Sequence, residues 1–215
     1  MSKITGPLLS LGARGQIGKS MVFASWKGQP YVRQLVIPAN PQSAEQTLTR
    51  TAFTEASDIW KRFGPIAKGP WNAYALGQTL TGRNAFVGRY VLTNRDQPSL
   101  AVFEGSPGAK GGLAPVSLAL TPASQGMDAT LVAPAAPVGW TVSAGQFLIL
   151  QDGAAGSLPE TITQESEDAS SPYTASFTGL DALTTYAVSA WLEWTKPDGT
   201  LAYGPSITQL DDTLA

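Results

Sequence analysis

Two runs near the start of the chain, residues 16–24 (QIGKSMVFA) and 30–37 (PYVRQLVI), have the strand-like pattern of apolar and polar positions. They flank the turn-forming Trp26-Lys27-Gly28-Gln29, which predicts a β-hairpin. Pro38 and Pro41 then hold a short link extended, because each ring fixes its own φ and keeps the preceding residue out of the α region. Beyond them the period changes to three and four. Leu48, Ala52, Phe53, Ala56, Ile59, Trp60 and Phe63 mark one stripe of a long helix. Ser43 is its predicted N-cap, Gln46 completes a capping box, and Gly64-Pro65 ends it. A second short helix is predicted over 70–76, with Pro70 in its first turn, and a third over 81–92. Trp60, Trp71, Tyr74, Phe86 and Tyr90 are the aromatic side chains expected to lock the three helices together.

From residue 115 onward the pattern turns to short strands, over 116–120, 129–133, 146–150, 173–177 and 186–194, separated by Gly, Pro and Asp turns at the spacing of a β-sandwich. The last of these places Tyr186, Val188, Ala190, Leu192 and Trp194 on one face and Ala187, Ser189, Trp191 and Glu193 on the other. With the first set in the core, Trp191 becomes a candidate surface contact for a glycan or a neighbouring chain, although half-covering by sheet neighbours is the commoner arrangement. The stretch GLDALTTY, residues 179–186, resembles the corner of fibronectin type III domains: Leu180, Thr184 and Tyr186 match, and Ala182 replaces the proline. That family's early-strand tryptophan is missing from 129–133, so the resemblance implies an Ig-like sandwich rather than a strict type III domain. The expected fold class is α+β, with an N-terminal β-hairpin plus helical domain and a C-terminal all-β Ig-like sandwich.

Residues 101–114, rich in Gly and Pro, read as a flexible linker between a basic docking domain at 1–100 and the sandwich at 115–215. Charge changes sign at the same place. The net charge of −2 hides twelve cations against four acids in residues 1–100, and two cations against twelve acids in 101–215. A hydrophobic content of 43% suffices for a real core, while charged residues are only 14%. The absence of cysteine and histidine removes disulfides, Ser-His-Asp triads, Cys-His dyads and standard zinc sites together. Without an apolar run of about eighteen residues or a signal-peptide pattern, the chain is expected to be made in a cytoplasm and not to span a membrane.

Three chemical motifs lose to plainer readings. Residues 13–20 (ARGQIGKS) satisfy a relaxed phosphate-loop pattern, and 147–152 (FLILQD) pass loosely for the accompanying acidic strand. Phosphate cradling requires a helix that starts at the Lys-Ser, whereas the residues from Ser20 onward are strand-like. Glu160, Glu165, Glu167 and Asp168 offer paired carboxylates for hydrolysis, but lie in a stretch that reads as a solvated acidic turn. The helical aromatics beside Arg83 and Arg89 offer a stacking surface for single-stranded bases; core packing explains them better.

A second resemblance rests on Gly18-Lys19, Trp26-Lys27-Gly28, Tyr31-Val32-Arg33, Asn40-Pro41-Gln42-Ser43-Ala44-Glu45-Gln46, Arg50-Thr51-Ala52-Phe53, Trp71-Asn72-Ala73-Tyr74 and Asn84-Ala85-Phe86. This arrangement, over about residues 10–92, is similar to a group of phage- and prophage-encoded proteins with the pattern G-x-x-G, W-K-G, Y-x-R, N-P-x-S-x-x-Q, R-x-x-F. The resemblance implies a virion structural component and brings no catalytic residues. The expectation is a non-enzymatic capsid decoration or cement protein, homo-oligomeric, without cofactor or metal. Its partner is expected to be the major capsid protein or another virion protein, not nucleic acid. A tail, head–tail connector or fibre-adaptor protein is the alternative, and a carbohydrate-binding module, resting on Trp191, the third. The partner interface is assigned to Leu8, Leu9, Trp26, Tyr31 and Arg33.

Overall fold

The computed structural model describes residues 2–3, 14–37, 39–40, 42–95, 103–151 and 162–214. The arm leucines Leu8 and Leu9, the two link prolines Pro38 and Pro41, Asp152 and Glu160 lie outside the described residues. The chain divides into two compact units, Met1–Gln42 and Ser43–Ala215.

The first unit is a single antiparallel sheet in the order β1-β4-β3-β2, built from β1 (Ser2–Lys3), β2 (Gly15–Ile17), β3 (Met21–Trp26) and β4 (Gln29–Gln34). The run 16–24, expected as one strand, is broken by a turn at Gly18–Ser20, where Gly18 has φ +56. Between β3 and β4 the two-residue loop has positive φ at both Lys27 (+49) and Gly28 (+76), the local geometry whose twist suits a two-residue hairpin.

The second unit has three layers. Strands β6 (Ser117–Ala123), β7 (Gly126–Val132) and β10 (Tyr173–Thr178) form a sheet in the order β10-β7-β6. Facing it is a larger sheet in the order β5-β12-β11-β8-β9. Its strands are β5 (Pro107–Ala109), β12 (Leu201–Pro205), β11 (Thr185–Thr195), β8 (Thr141–Gln151) and β9 (Ile162–Asp168). A last strand, β13 (Ile207–Asp212), also pairs with β11. The third layer is helical: α1 (Ala44–Arg62), α2 (Pro65–Ala75) and α3 (Gly82–Asn94). The architecture is α+β with antiparallel strand pairing and a two-sheet sandwich.

The chain does not divide at the expected linker, 101–114: its described residues, from 103 on, lie within the second unit. Central strands β8 and β11 are apolar on both faces, as strands covered from both sides are. Phe147, Ile149, Tyr186, Val188, Leu192 and Trp194 fill the core between the sheets. Leu148, Leu150, Ala187 and Trp191 fill a second core against Ala56, Ile59, Phe63, Trp71 and Phe86 of the helices. The supposed linker runs through this second interface: Phe103 and Ser106 are buried, the Trp71 indole N–H donates to the Gly105 carbonyl at 2.9 Å, and the Gly105 N–H donates to Ser189 Oγ at 3.1 Å. Its Gly105 serves close approach rather than flexibility, since a Cβ there would lie 2.6 Å from both Ser189 Oγ and Trp191 Cζ3.

The helices begin with local signals. Ser43 Oγ accepts from the Gln46 N–H (3.4 Å) and Thr81 Oγ1 from the Asn84 N–H (3.3 Å), each satisfying a free first-turn donor. The second helix starts at Pro65, five residues before the expected start, and Pro70 lies inside it. Of the α1 stripe, Ala52, Ala56, Ile59 and Phe63 are buried, while Leu48 and Phe53 point outward. Phe86 stacks edge-on with Phe63 (4.9 Å between centroids) and Trp71 (5.2 Å), as expected of a locking cluster, but Tyr74 is exposed.

Candidate docking surface

The first unit is where exposure concentrates: none of its described residues from 14 to 42 is buried. Antiparallel register sorts its side chains, because directly paired residues share a face. Ile17, Met21, Phe23, Val32 and Pro30 line one face, which carries no charged side chain among residues 14–34. Gln16, Val22, Ala24, Trp26, Gln29, Tyr31 and Arg33 line the other. The three described residues assigned to the interface from sequence therefore meet on one side of the sheet. Trp26 is 70% exposed, Arg33 is exposed and Tyr31 is half-buried. Residues 1–42 contain five cations and no acid, so this surface is unmixed in charge. Arg33 and Tyr31 are two residues apart on one strand, which puts a guanidinium beside a phenol and a tryptophan two rows from it on the neighbouring strand.

Trp191, the other sequence candidate, is not on the surface. It is 0% exposed, and its indole N–H donates to Gln146 Oε1 at 2.7 Å. Gln146 Nε2 in turn donates to Glu193 Oε2 at 3.1 Å, and the Tyr203 hydroxyl also bonds Glu193. Burial pushes the Glu193 carboxyl above its ordinary value, and the charge of Glu167 adds to the shift, against the lowering effect of those two hydrogen bonds. Tyr203 is pushed up to about 12, first by burial and then by the Glu193 charge. The helical layer that buries Trp191 removes the basis for a glycan contact.

Two of the four candidate acids, Glu165 and Asp168, are equally structural. Glu165 accepts from the backbone N–H groups of Gly64 and Ile66 at the start of α2. Asp168, held down to about 2, accepts from the backbone N–H groups of Thr174 and Ser170 and from the Ser170 and Thr174 hydroxyls. These acids sit on β9, a strand where a loop was expected. The Gly18-Lys19-Ser20 of the phosphate-loop lookalike is a turn between β2 and β3, with no helix after it. Arg89 pairs with both carboxylate oxygens of Glu104 (2.9 and 3.0 Å) and Arg83 donates to Ser57 Oγ. Of the neighbouring rings, Trp71, Phe86 and Tyr90 are in the helical core and Trp60 packs against it, while Tyr74 is exposed. Among the described residues no group of three or more acidic side chains is placed to hold a metal ion, and no helix is long and apolar enough to cross a membrane.

A feature the sequence pattern concealed is the outward groove between α1 and α3, lined by Phe53, Val87, Gly88, Val91 and Leu92. Phe53 is 53% and Leu92 78% exposed. Phe53 falls within the helical stripe that read as core, and Leu92 ends the predicted third helix with no face assigned to it, so no local signal marked the groove.

No protein-family model matches the chain, and no curated protein matches it. Among solved structures it is similar over 49% of its length to all of a myokine structure (11% identity, TM-score 0.35). It is similar over 47% to 90% of a computationally redesigned β-sandwich protein (15% identity, TM-score 0.34). A third likeness, again over 47%, is to 76% of the fn3 domain structure of human contactin 1 (17% identity, TM-score 0.33).

Proposed function

We propose that the chain is a non-enzymatic structural protein of a phage virion, attached through its N-terminal sheet and displaying the three-layer unit outward as a capsid decoration or cement protein. The observation that carries this reading is Trp26, 70% exposed on a sheet face beside Tyr31 and Arg33, in a unit with no buried side chain among its described residues from 14 to 42. A single sheet layer has no core of its own, and an aromatic–arginine surface is the composition of contact centres between proteins. The resemblance of residues 10–92 to phage and prophage proteins is what suggests a virion as the particle.

Within the displayed unit we read an Ig-like sandwich of the fibronectin type III kind. Its strand order, β10-β7-β6 against β9-β8-β11, with β12 and then β5 beyond β11 and β13 also paired to β11, supports this. So does the Tyr186 hydroxyl, which accepts from the Asp181 N–H at 2.9 Å, closing a tyrosine corner.

Particles assembled without the protein test the reading when mixed with the full chain, with residues 43–215, and with Trp26→Ala. Full chain on the particle, 43–215 left in solution and weakened retention of the variant are expected. Normal incorporation of 43–215 would overturn the assignment of the N-terminal sheet.

A further inference from the structure

The aromatic–cationic face needs a partner of opposite charge, and the same molecule carries one. Residues 1–42 hold five cations and no acid, whereas residues 43–215 hold nine cations against sixteen acids. Within the second unit the charge is again divided. The helices from 44 to 94 carry six cations against three acids, so the exposed α1–α3 groove repels a basic sheet despite its apolar lining. The chain from 103 to 215 carries only Lys110 and Lys196 against twelve acids.

One end of the sandwich joins this charge to exposed apolar tips. The Thr184 N–H donates to Thr213 Oγ1, and the Thr213 N–H returns to the Thr184 carbonyl, each at 3.1 Å, tying the corner before β11 to the end of β13. Leu183 (77% exposed) and Leu214 (53% exposed) stand there with Asp181 and Asp212, and no Lys or Arg occurs in 179–186 or 207–215. Charge steers such an encounter, while buried aromatic and aliphatic contact holds it.

We infer that the Trp26–Tyr31–Arg33 face of one copy docks on the acidic sandwich end of a second copy, head to tail. The inference rests on the reading of that face as an attachment surface and adds to its seat on the particle a second occupant, another copy of this chain, for copies free in solution. The two contacting surfaces differ, so the association is heterologous, and repetition gives a ring or an open string according to the rotation at each contact.

Sedimentation of the full chain tests it. Concentration-dependent association is expected at about 50 mM NaCl, weakening about tenfold or more by about 500 mM as exposed charges are screened. Trp26→Ala and Leu183→Ser alter exposed side chains and leave the circular dichroism unchanged; each alone is expected to be monomeric. Mixed, they retain one intact surface apiece and are expected to form a one-to-one dimer. A full chain that stays monomeric at low salt would overturn the inference, as would association that strengthens with salt or a mixture that fails to pair. Binding of an oligo-dT 20-mer that Trp26→Ala abolishes, without self-association, would assign the face to nucleic acid instead. Incorporation into particles without self-association sinks this inference alone; self-association without incorporation sinks the virion reading alone.

Discussion

Glu165, on β9, caps a helix whose N-cap, Gly64, lies 101 residues earlier in the chain: its Oε1 accepts from the Gly64 N–H at 2.6 Å and its Oε2 from the Ile66 N–H at 3.3 Å. Gly64, the N-cap of α2, has no side chain to do this for itself. The carboxylate satisfies two first-turn donors and lies at the positive end of the helix dipole.

Glu165→Gln keeps one acceptor and loses the charge, so a loss of about 1 kcal/mol is expected, and about 2 kcal/mol for Glu165→Ala. Gly64→Ala produces the same defect from the other side, since its Cβ would displace the Glu165 carboxylate. Urea unfolding measures all three. A double variant Gly64→Ala/Glu165→Ala should cost less than the sum of its parts, and full additivity would refute the pairing.

The Glu193 carboxyl makes a pH-dependent prediction. Burial raises its folded value above the ordinary 4.5, so the folded protein binds this proton more tightly than the unfolded chain. Its contribution to stability is fully present below pH 4.5 and is lost as pH rises through the raised value. Glu193→Gln should therefore raise the Tm at pH 7 to 8, with the difference closing below about pH 4.5. A gap that instead widened in acid would reverse the assignment.

Fragment boundaries test the three-layer unit. Residues 43–215 should unfold in one cooperative transition, whereas residues 110–215 should aggregate, because Leu148, Leu150 and Trp191 lose the helices that cover them. In the full chain, Gly105→Ala should cost about 2 kcal/mol or more by forcing a methyl against Ser189 and Trp191. A separately folded, monomeric 110–215 would restore the two-domain picture.

Much of the local structure was legible. Ser43, Thr81 and the Lys27-Gly28 loop announce element ends through short-range chemistry, and residues 179–186 announce a corner that Tyr186 closes. The layer order was not, because it depends on what lies behind a sheet. The signal was present in Phe147-Leu148-Ile149-Leu150, four consecutive apolar residues where a sheet wet on one side would alternate. Reading β11 by its alternation alone put Trp191 outside. For the same reason the glycines of 103–112 passed for flexibility: composition does not distinguish a loose segment from one squeezed between packed layers. The proposed interface was legible in part, since Trp26, Tyr31 and Arg33 share a face as register requires, whereas Glu165 was invisible because its partner is 101 residues away.

The twofold covering of β11 also orders events during synthesis. The helices, complete by residue 94, leave the ribosome about ninety residues before Ala187 and Trp191, the floor on which their apolar stripe rests. At a typical elongation rate of about 5–20 residues per second, that stripe stays uncovered for roughly five to twenty seconds in every chain made. Closing the second core is a late, long-range event that depends on nearly the whole polypeptide, so a nascent chain stalled before β11 presents Ile59, Phe63 and Phe86 to chaperones rather than to its own sheet.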